Sequence, residues 1–270
     1  MIAQKTFREI RVMTLVYALL LFALAMPVIW LWPDIYDDLK NSTLLKNPGF
    51  DFLKRIGQGV TDRAEDVAYR NWIAVMLYFR SVNLLGIAAS VLLGTALFAR
   101  ERETQTLEFL LSRPVSPSAV LWQKSWPVAL CVLLPIFVVN TSAIWFSRSI
   151  ELELPFWPVQ LANLHGSLFV LMILAFTTYV SSRCRAQAHV AFWVGGIVVS
   201  QIGMYLIPRL RAFSLFRMSD FDCYGPILAG NVPIANMFLP THGPALSLWL
   251  LLAAILFYAL AWRSLRNLEP

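Results

Sequence analysis

Six apolar runs, each long enough to cross a bilayer as a helix, alternate with polar segments of very unequal length. They cover about 14–32, 81–99, 126–146, 161–180, 188–207 and 245–262, each close to the ~20 apolar residues that a ~30 Å hydrocarbon core demands. The pattern predicts an all-α, polytopic integral membrane protein with six transmembrane helices in one transmembrane domain over residues 1–270. Ahead of the first run, residues 1–13 set Lys5, Arg8, Glu9 and Arg11 among Ile2, Phe7, Ile10 and Val12, which reads as a short interfacial amphipathic helix. Pro33 and Asp34 are expected to close the first span and Pro27 to kink it. Residues 33–80 read as an outer segment of nearly balanced charge. Within it, 50–70 could be helical, weakened by Gly57 and Gly59, and 71–79 could extend the second span outward. Arg80 is placed at the headgroups, where a long cation snorkels.

The outer segment 208–243 is less simple. Between Phe221 and Pro240 it carries Tyr224, Ile227, Leu228, Val232, Ile234, Met237, Phe238 and Leu239, interrupted by Gly225, Pro226, Gly230 and Pro233. That is too apolar for open solvent and too broken to span. It reads either as a re-entrant or interfacial excursion, covered by protein as irregular backbone at membrane depth must be, or as an extracellular piece packed on itself.

Composition agrees with the pattern: 58% of residues are hydrophobic, 14% are charged, and the mean hydropathy is +0.63, outside the balance of a soluble domain. Ten Trp, 18 Phe and eight Tyr suit span ends at the headgroup level. The net charge of +6 reports topology, because the basic residues flank apolar runs and form no single patch for nucleic acid. With both termini inside, the inner segments hold 11 basic residues, Lys5, Arg8, Arg11, Arg100, Arg102, Arg113, Lys124, Arg183, Arg185, Arg263 and Arg266. Against them stand five acidic ones, Glu9, Glu101, Glu103, Glu108 and Glu269. The outer segments hold 11 of each, so the positive-inside rule places both termini and residues 100–124 in the cytoplasm. Cys131, Cys184 and Cys223 suggest no pairing and no CxxC. The first run is too long for a cleaved signal peptide and is expected to remain a span.

Catalytic chemistry finds no support. His165, His189 and His242 form no HExxH and no His pair, there is no GxSxG, and each histidine reads as structural. The middles of the spans lack Asp, Glu, Lys and Arg, which argues against an ion-coupled carrier. Their polar residues, Asn83, Asn140, Thr141, Asn163, Thr177, Thr178 and Gln201, are expected to hydrogen-bond between helices. No GxxxxGK[ST] occurs, so the chain has no P-loop for ATP. No catalytic, metal or cofactor site is expected.

One polar segment remains distinctive. Between the second and third spans, residues 99–126 read ARERETQTLEFLLSRPVSPSAVLWQKSW. Leu107, Leu110 and Leu111 fall at helical spacing, Glu101, Glu103 and Glu108 supply charge, and Pro114 ends the pattern, predicting a short amphipathic helix. On the bland reading it is a solvated loop whose leucines rest on the membrane surface. The segment resembles the signature of type-2 ATP-binding-cassette (ABC) transporter permeases: an acidic-basic-acidic run, Gly-Thr-Leu-Glu, a Leu pair, Pro-Val/Ile-Ser, then a Lys opening the third span. Glu101, Arg102 and Glu103 match the charged run, and Thr106, Leu107 and Glu108 the middle. Leu110, Leu111, Pro114, Val115, Ser116 and Lys124 match the rest. Gln105 stands where Gly is usual, Pro117 where Arg is common, and Gln123 where Gly often precedes the Lys.

The resemblance implies a permease subunit of an ATP-driven exporter in the cytoplasmic (inner) membrane, in contact with membrane lipid and paired with a second copy or a related permease. It implies that a separate ATP-binding subunit holds ATP and Mg. Residues 101–112 would be the coupling helix resting on that subunit through Glu101, Arg102, Glu103, Thr106, Leu107, Glu108, Leu110, Leu111 and Pro114, with Arg183 and Arg185 in a smaller second contact. The alternative is a membrane scaffold that recruits a cytoplasmic partner through the same segment without moving cargo.

Overall fold

A computed structural model describes residues 2–41, 64–106, 116–239 and 245–267. Each apolar run forms a helix because a bilayer leaves the backbone no partner but itself. Six helical stretches are long and apolar enough to cross a membrane, and the described residues contain no strand. In order the described elements are α1 (Ile2–Trp30), α2 (Trp32–Asn41), α3 (Glu65–Ile73), a π-helix (Ala74–Asn83), α4 (Leu84–Thr95), α5 (Ala99–Glu103), α6 (Pro117–Arg148), α7 (Phe156–Arg183) and α8 (Gln187–Leu206). Two 3-10 turns (Arg211–Phe213 and Leu215–Ser219), α9 (Phe221–Leu228), α10 (Ile234–Phe238) and α11 (Leu246–Arg266) follow.

Several boundaries differ from the hydropathy pattern. Residues 2–13 are the first turns of α1 itself, with no separate interfacial helix. Pro33 does not stop the chain. It sits in the first turn of α2, where a missing N–H costs nothing, and hydrogen bonds from Leu31 N to Pro27 O and from Ile35 N to Leu31 O carry the helical path from α1 into α2. The helix of the second span begins at Glu65, further out than the extension expected from residue 71, because α3, the π-helix and α4 run on without a break. Their outer part is anchored by aromatic packing. Trp32, Tyr36, Tyr69 and Trp72 are buried together, Trp72 Nε1 donates to Val28 O at 3.1 Å, and Tyr69 Oη lies 2.5 Å from Ser147 Oγ.

The bundle is built around α7, 72% of whose apolar window is buried, against 17% for α8. Gly86 and Gly94 bring α4 onto α7: a Cβ at Gly86 would lie 2.6 Å from Val170 Cγ2, and one at Gly94 2.8 Å from Thr177 Cγ2. Small residues serve here as they do where membrane helices approach closely. Helices α7 and α11 run parallel in one register, since His165 Nδ1 meets Ser247 Oγ at 2.9 Å and Ser264 Oγ donates to Ser182 O at 3.4 Å. Both contacts carry the same offset along the chain, so the helices stay side by side over most of their length.

Buried polar groups tie the opposite end. Tyr78 Oη and Asn140 Nδ2 both donate to Asn163 Oδ1 (3.1 and 2.8 Å), joining the π-helix, α6 and α7. Asn83 Nδ2 donates to Ser219 O (2.9 Å), and Ser219 Oγ meets Tyr224 Oη at 2.6 Å. Thr177 is different: its hydroxyl bonds back to Ile173 O in its own helix (2.8 Å), so it makes no bond between helices. The segment after α8 packs into this end of the bundle. Tyr224 is fully buried, stacked on Tyr78 at 4.9 Å and edge-on to His165 at 5.4 Å, and Gln201 Oε1 accepts from Leu215 N at 2.8 Å.

Two helices end in the same turn. After α9, Gly230 N bonds Ile227 O and Asn231 N bonds Pro226 O, with Gly230 at φ 77°. After α6, Glu151 N bonds Arg148 O and Leu152 N bonds Ser147 O, with Glu151 at φ 60°. Both are Schellman motifs, which satisfy the last helical carbonyls by placing one residue in the left-handed region.

Candidate functional site

The sequence points to the end of the bundle where α5 lies. Helix α4 stops at Thr95, the chain turns through residues 96–98, and α5 starts at Ala99. A break inside a membrane helix frees backbone groups, and Ser181 of α7 takes three of them. Its Oγ accepts from Phe98 N (3.2 Å) and Ala99 N (3.1 Å) and donates to Thr95 O (3.1 Å). The break is thus welded to the central helix.

The next three charges each grip a different helix. Glu101 pairs with Lys124 of α6, and Lys124, only 6% exposed, also donates to Leu97 O at 2.8 Å and lies 5.4 Å from the Phe98 ring centroid. The ammonium therefore has a carboxylate, a carbonyl and an aromatic face as partners, which is what a buried cation needs. Arg102 Nη1 donates to Arg183 O, the last carbonyl of α7, at 3.1 Å, a cation on a helix C-terminus. Glu103 Oε2 accepts from Gln187 N, the first residue of α8, at 3.3 Å, an anion on a helix N-terminus that has no side-chain cap of its own. Successive residues of the Glu-Arg-Glu run thus fasten α5 to α6, to the end of α7 and to the start of α8.

Helix α5 then stops. Gln105 N bonds Arg102 O at 3.1 Å and Thr106 N bonds Glu101 O at 2.8 Å, with Gln105 at φ 55°. This is a third Schellman turn among the described residues, and its left-handed residue is the position where the resembling permeases carry Gly. A single helix over 101–112 is therefore not what forms: it is interrupted at Thr104–Gln105. At the far side, Ser116 caps α6 by accepting from Ala119 N at 3.3 Å, and Pro117 takes the first helical position. There proline is favoured, which accounts for Pro117.

The candidate contact residues divide accordingly. Glu101 and Arg102 are half-buried and turned inward, whereas Glu103, Thr106, Arg183 and Arg185 are exposed at one end of the bundle. Leu107, Glu108, Leu110, Leu111 and Pro114 lie outside the described residues. Lys124 belonged to the sequence signature but not to the expected contact set, and the Glu-Lys pairing across 23 residues leaves no periodic trace. Ser181 had no sequence signal at all, because one hydroxyl near a span end looks like any other. Lys5 and Glu9 of α1 are also near enough to act electrostatically on Lys124, and Ser264 of α11 touches Ser182. Both ends of the described chain therefore meet at the α5 end.

A model describing ABC-2 family transporter proteins matches residues 1–219. The chain belongs to this family. The membrane protein YdbK of Bacillus subtilis (strain 168) is 26% identical over 204 residues, 71% of this chain and 80% of its own length. Among ABC-2 family chains this one is a multi-pass membrane subunit, and the matched region holds α5 and every partner just described.

Away from this end, His165 is committed to structure, its Nε2 donating to Met218 O at 2.8 Å while Nδ1 accepts from Ser247 Oγ. The three cysteines are free thiols. Burial, with Asp220 and then Asp222 adding negative charge beside it, pushes the half-buried Cys223 thiol up to about 11, which keeps its thiolate fraction low at neutral pH.

Proposed function

We propose that this chain is the permease half of an ATP-driven exporter of the cytoplasmic (inner) membrane, with both termini and the α5 end in the cytoplasm. ATP and its Mg are bound and hydrolysed on a separate ABC subunit, which docks on residues 103–115 and on the exposed Arg183 and Arg185 beside them. A second copy or a related permease packs against α8, the least covered spanning helix, where a Cβ on Gly195, Gly196 or Gly203 would touch nothing.

The observation that supports this reading most is the three-way attachment of α5. A segment pulled by a partner delivers its displacement to α6, α7 and α8 together, and a change in one interface then becomes a rigid-body change in the bundle. The excess of basic residues at this end supports its cytoplasmic placement. Helix α5 ends at an exposed, capped turn, which supports a docking site at this end.

Two measurements test the proposal. An affinity-tagged chain co-expressed with an ABC ATPase should retain the ATPase through purification, and Glu108→Lys with Arg183→Glu and Arg185→Glu should release it while the permease keeps its thermal stability. Undiminished co-purification overturns the docking assignment. Impermeant thiol reagents should reach Gln105→Cys only from the inside and Val60→Cys only from the outside; the reverse pattern overturns the sidedness. If the ATPase binds but its hydrolysis drives no transport, the scaffold reading replaces the exporter.

A further inference from the structure

Helices α6 and α11 both lie along α7 but hardly touch one another, and the furrow left between them encloses about 840 Å³. Trp122, Trp126 and Leu130 form one wall, Ile255 and Trp262 the other, and Leu171 of α7 the floor. The wall side chains are all exposed, so nothing among the described residues fills the space. Its volume lies in the ~300–1,000 Å³ range of sites that enclose a small ligand.

Position and charge restrict the occupant. The furrow opens from spanning helices, and so apolar a groove holds no ordered water. In a bilayer it fills with hydrocarbon. It also reaches the end of the hydrocarbon layer: tryptophans concentrate at the headgroup level, and three of them line it near the start of α6 and the end of α11. There Arg266 stands 5.8 Å from the Trp262 ring centroid. Arg263 and Arg266 close the last turn of α11, both exposed, and neither has an ion-pair partner among the described residues. An apolar furrow whose end residue Trp262 carries Arg266 against it, with Arg263 in the same helical turn, matches a molecule with long acyl chains and an anionic head.

We propose that the furrow between α6 and α11 binds an anionic phospholipid of the leaflet at the α5 end. Its chains lie between Trp126, Leu130 and Ile255, and Arg266 and Arg263 hold its phosphate. A second copy of the chain fits less well, because the furrow is concave and its end is cationic. The inference rests on the spanning helices alone and does not depend on ATP coupling, so failure of either leaves the other standing.

The test uses the full chain in bilayer discs of equal parts phosphatidylglycerol and phosphatidylcholine, with the retained lipid identified by native mass spectrometry after release. Each cation beside an anionic headgroup gives about a fivefold preference, so the unaltered chain should favour phosphatidylglycerol by about twenty-five-fold if both act. The exposed pair Arg263→Gln and Arg266→Gln should abolish that preference while lipid is still retained. Ala129→Phe with Leu133→Trp, which fills the furrow, should lower retention of both lipids to background. Retention by the unaltered chain in the mixing ratio overturns the proposal, as does full retention after the furrow is filled. A filled variant that loses a dimer also overturns it, since the seat would then belong to a second copy.

Discussion

Replacing Glu101 by Gln strands the Lys124 ammonium. Lys124 is 6% exposed and keeps the Leu97 carbonyl, the Phe98 ring and the more distant Glu9 once the carboxylate is gone, so the change should cost about 3 kcal/mol, the low end for breaking a buried pair. Lys124→Met should cost less, about 2 kcal/mol: the Leu97 carbonyl loses its donor, but the Glu101 side chain, 21% exposed, can turn toward water. The double substitution removes both charges and should cost no more than about 2 kcal/mol, well short of the sum, because a neutral pair of similar volume replaces a desolvated ion pair. For a chain of this size, each kcal/mol corresponds to about 2–4 °C. Glu101→Gln alone should therefore lower the melting temperature of the detergent-solubilised protein by about 6–12 °C, and adding Lys124→Met should restore part of that loss. Fluorescence-detected size exclusion after a heating series reads both. Additive losses would refute the pairing. An unchanged melting temperature in Glu101→Gln would show that Glu101 faces outward, as a direct contact for a partner would.

Two further outcomes follow from local geometry. Gln105→Gly should stabilise the chain by about 1 kcal/mol, since glycine takes the left-handed conformation without the Cβ penalty; a fall in melting temperature would contradict the Schellman turn. Cys223 in a Cys131→Ala, Cys184→Ala background should react with N-ethylmaleimide at pH 7.5 on the order of a hundredfold more slowly than an ordinary thiol, with a rate rising about tenfold per pH unit toward 11, because only the thiolate reacts. Rapid labelling at pH 7.5, followed by intact mass, would contradict the burial of the thiol beside Asp220 and Asp222.

The six spanning helices were legible because lipid imposes one demand on each of them, and a run such as 161–180 meets it whatever its neighbours do. The helix boundaries were not. Residues 65–80 carry Glu65, Asp66, Arg70 and Arg80, which read as outer and polar, yet Tyr69, Trp72, Ile73 and Tyr78 are buried there. Aromatic packing against Trp32 and Tyr36 outweighs the local charge. Helix ends were hidden for a different reason. A Schellman stop is signalled by glycine, as at Gly230, but the same turn is made by Gln105 and Glu151, and neither residue announces it. The polar network was legible in membership and illegible in pairing. Asn83, Asn140 and Asn163 could be named as interhelical, but that Asn163 serves two donors while Asn83 reaches across to Ser219 depends on how the helices pack.

The charged run before Gln105 carries two kinds of information, and the structure separates them. Helix α5 has five residues, far short of the ~12–15 that hold a helix in water unaided, so its contacts decide where it sits. Glu101 fixes it to α6, Arg102 to the last carbonyl of α7, and Glu103 to the first amide of α8. The order acidic-basic-acidic is therefore dictated by what each position meets: a buried ammonium, a helix C-terminus and a helix N-terminus. Exchanging Arg102 and Glu103 would keep the net charge and set each against the wrong helix end. Thus at least the first half of the signature is explained by contacts within the chain. On the proposed docking, selectivity for an ABC subunit would then rest on what stays exposed, Glu103, Arg183 and Arg185.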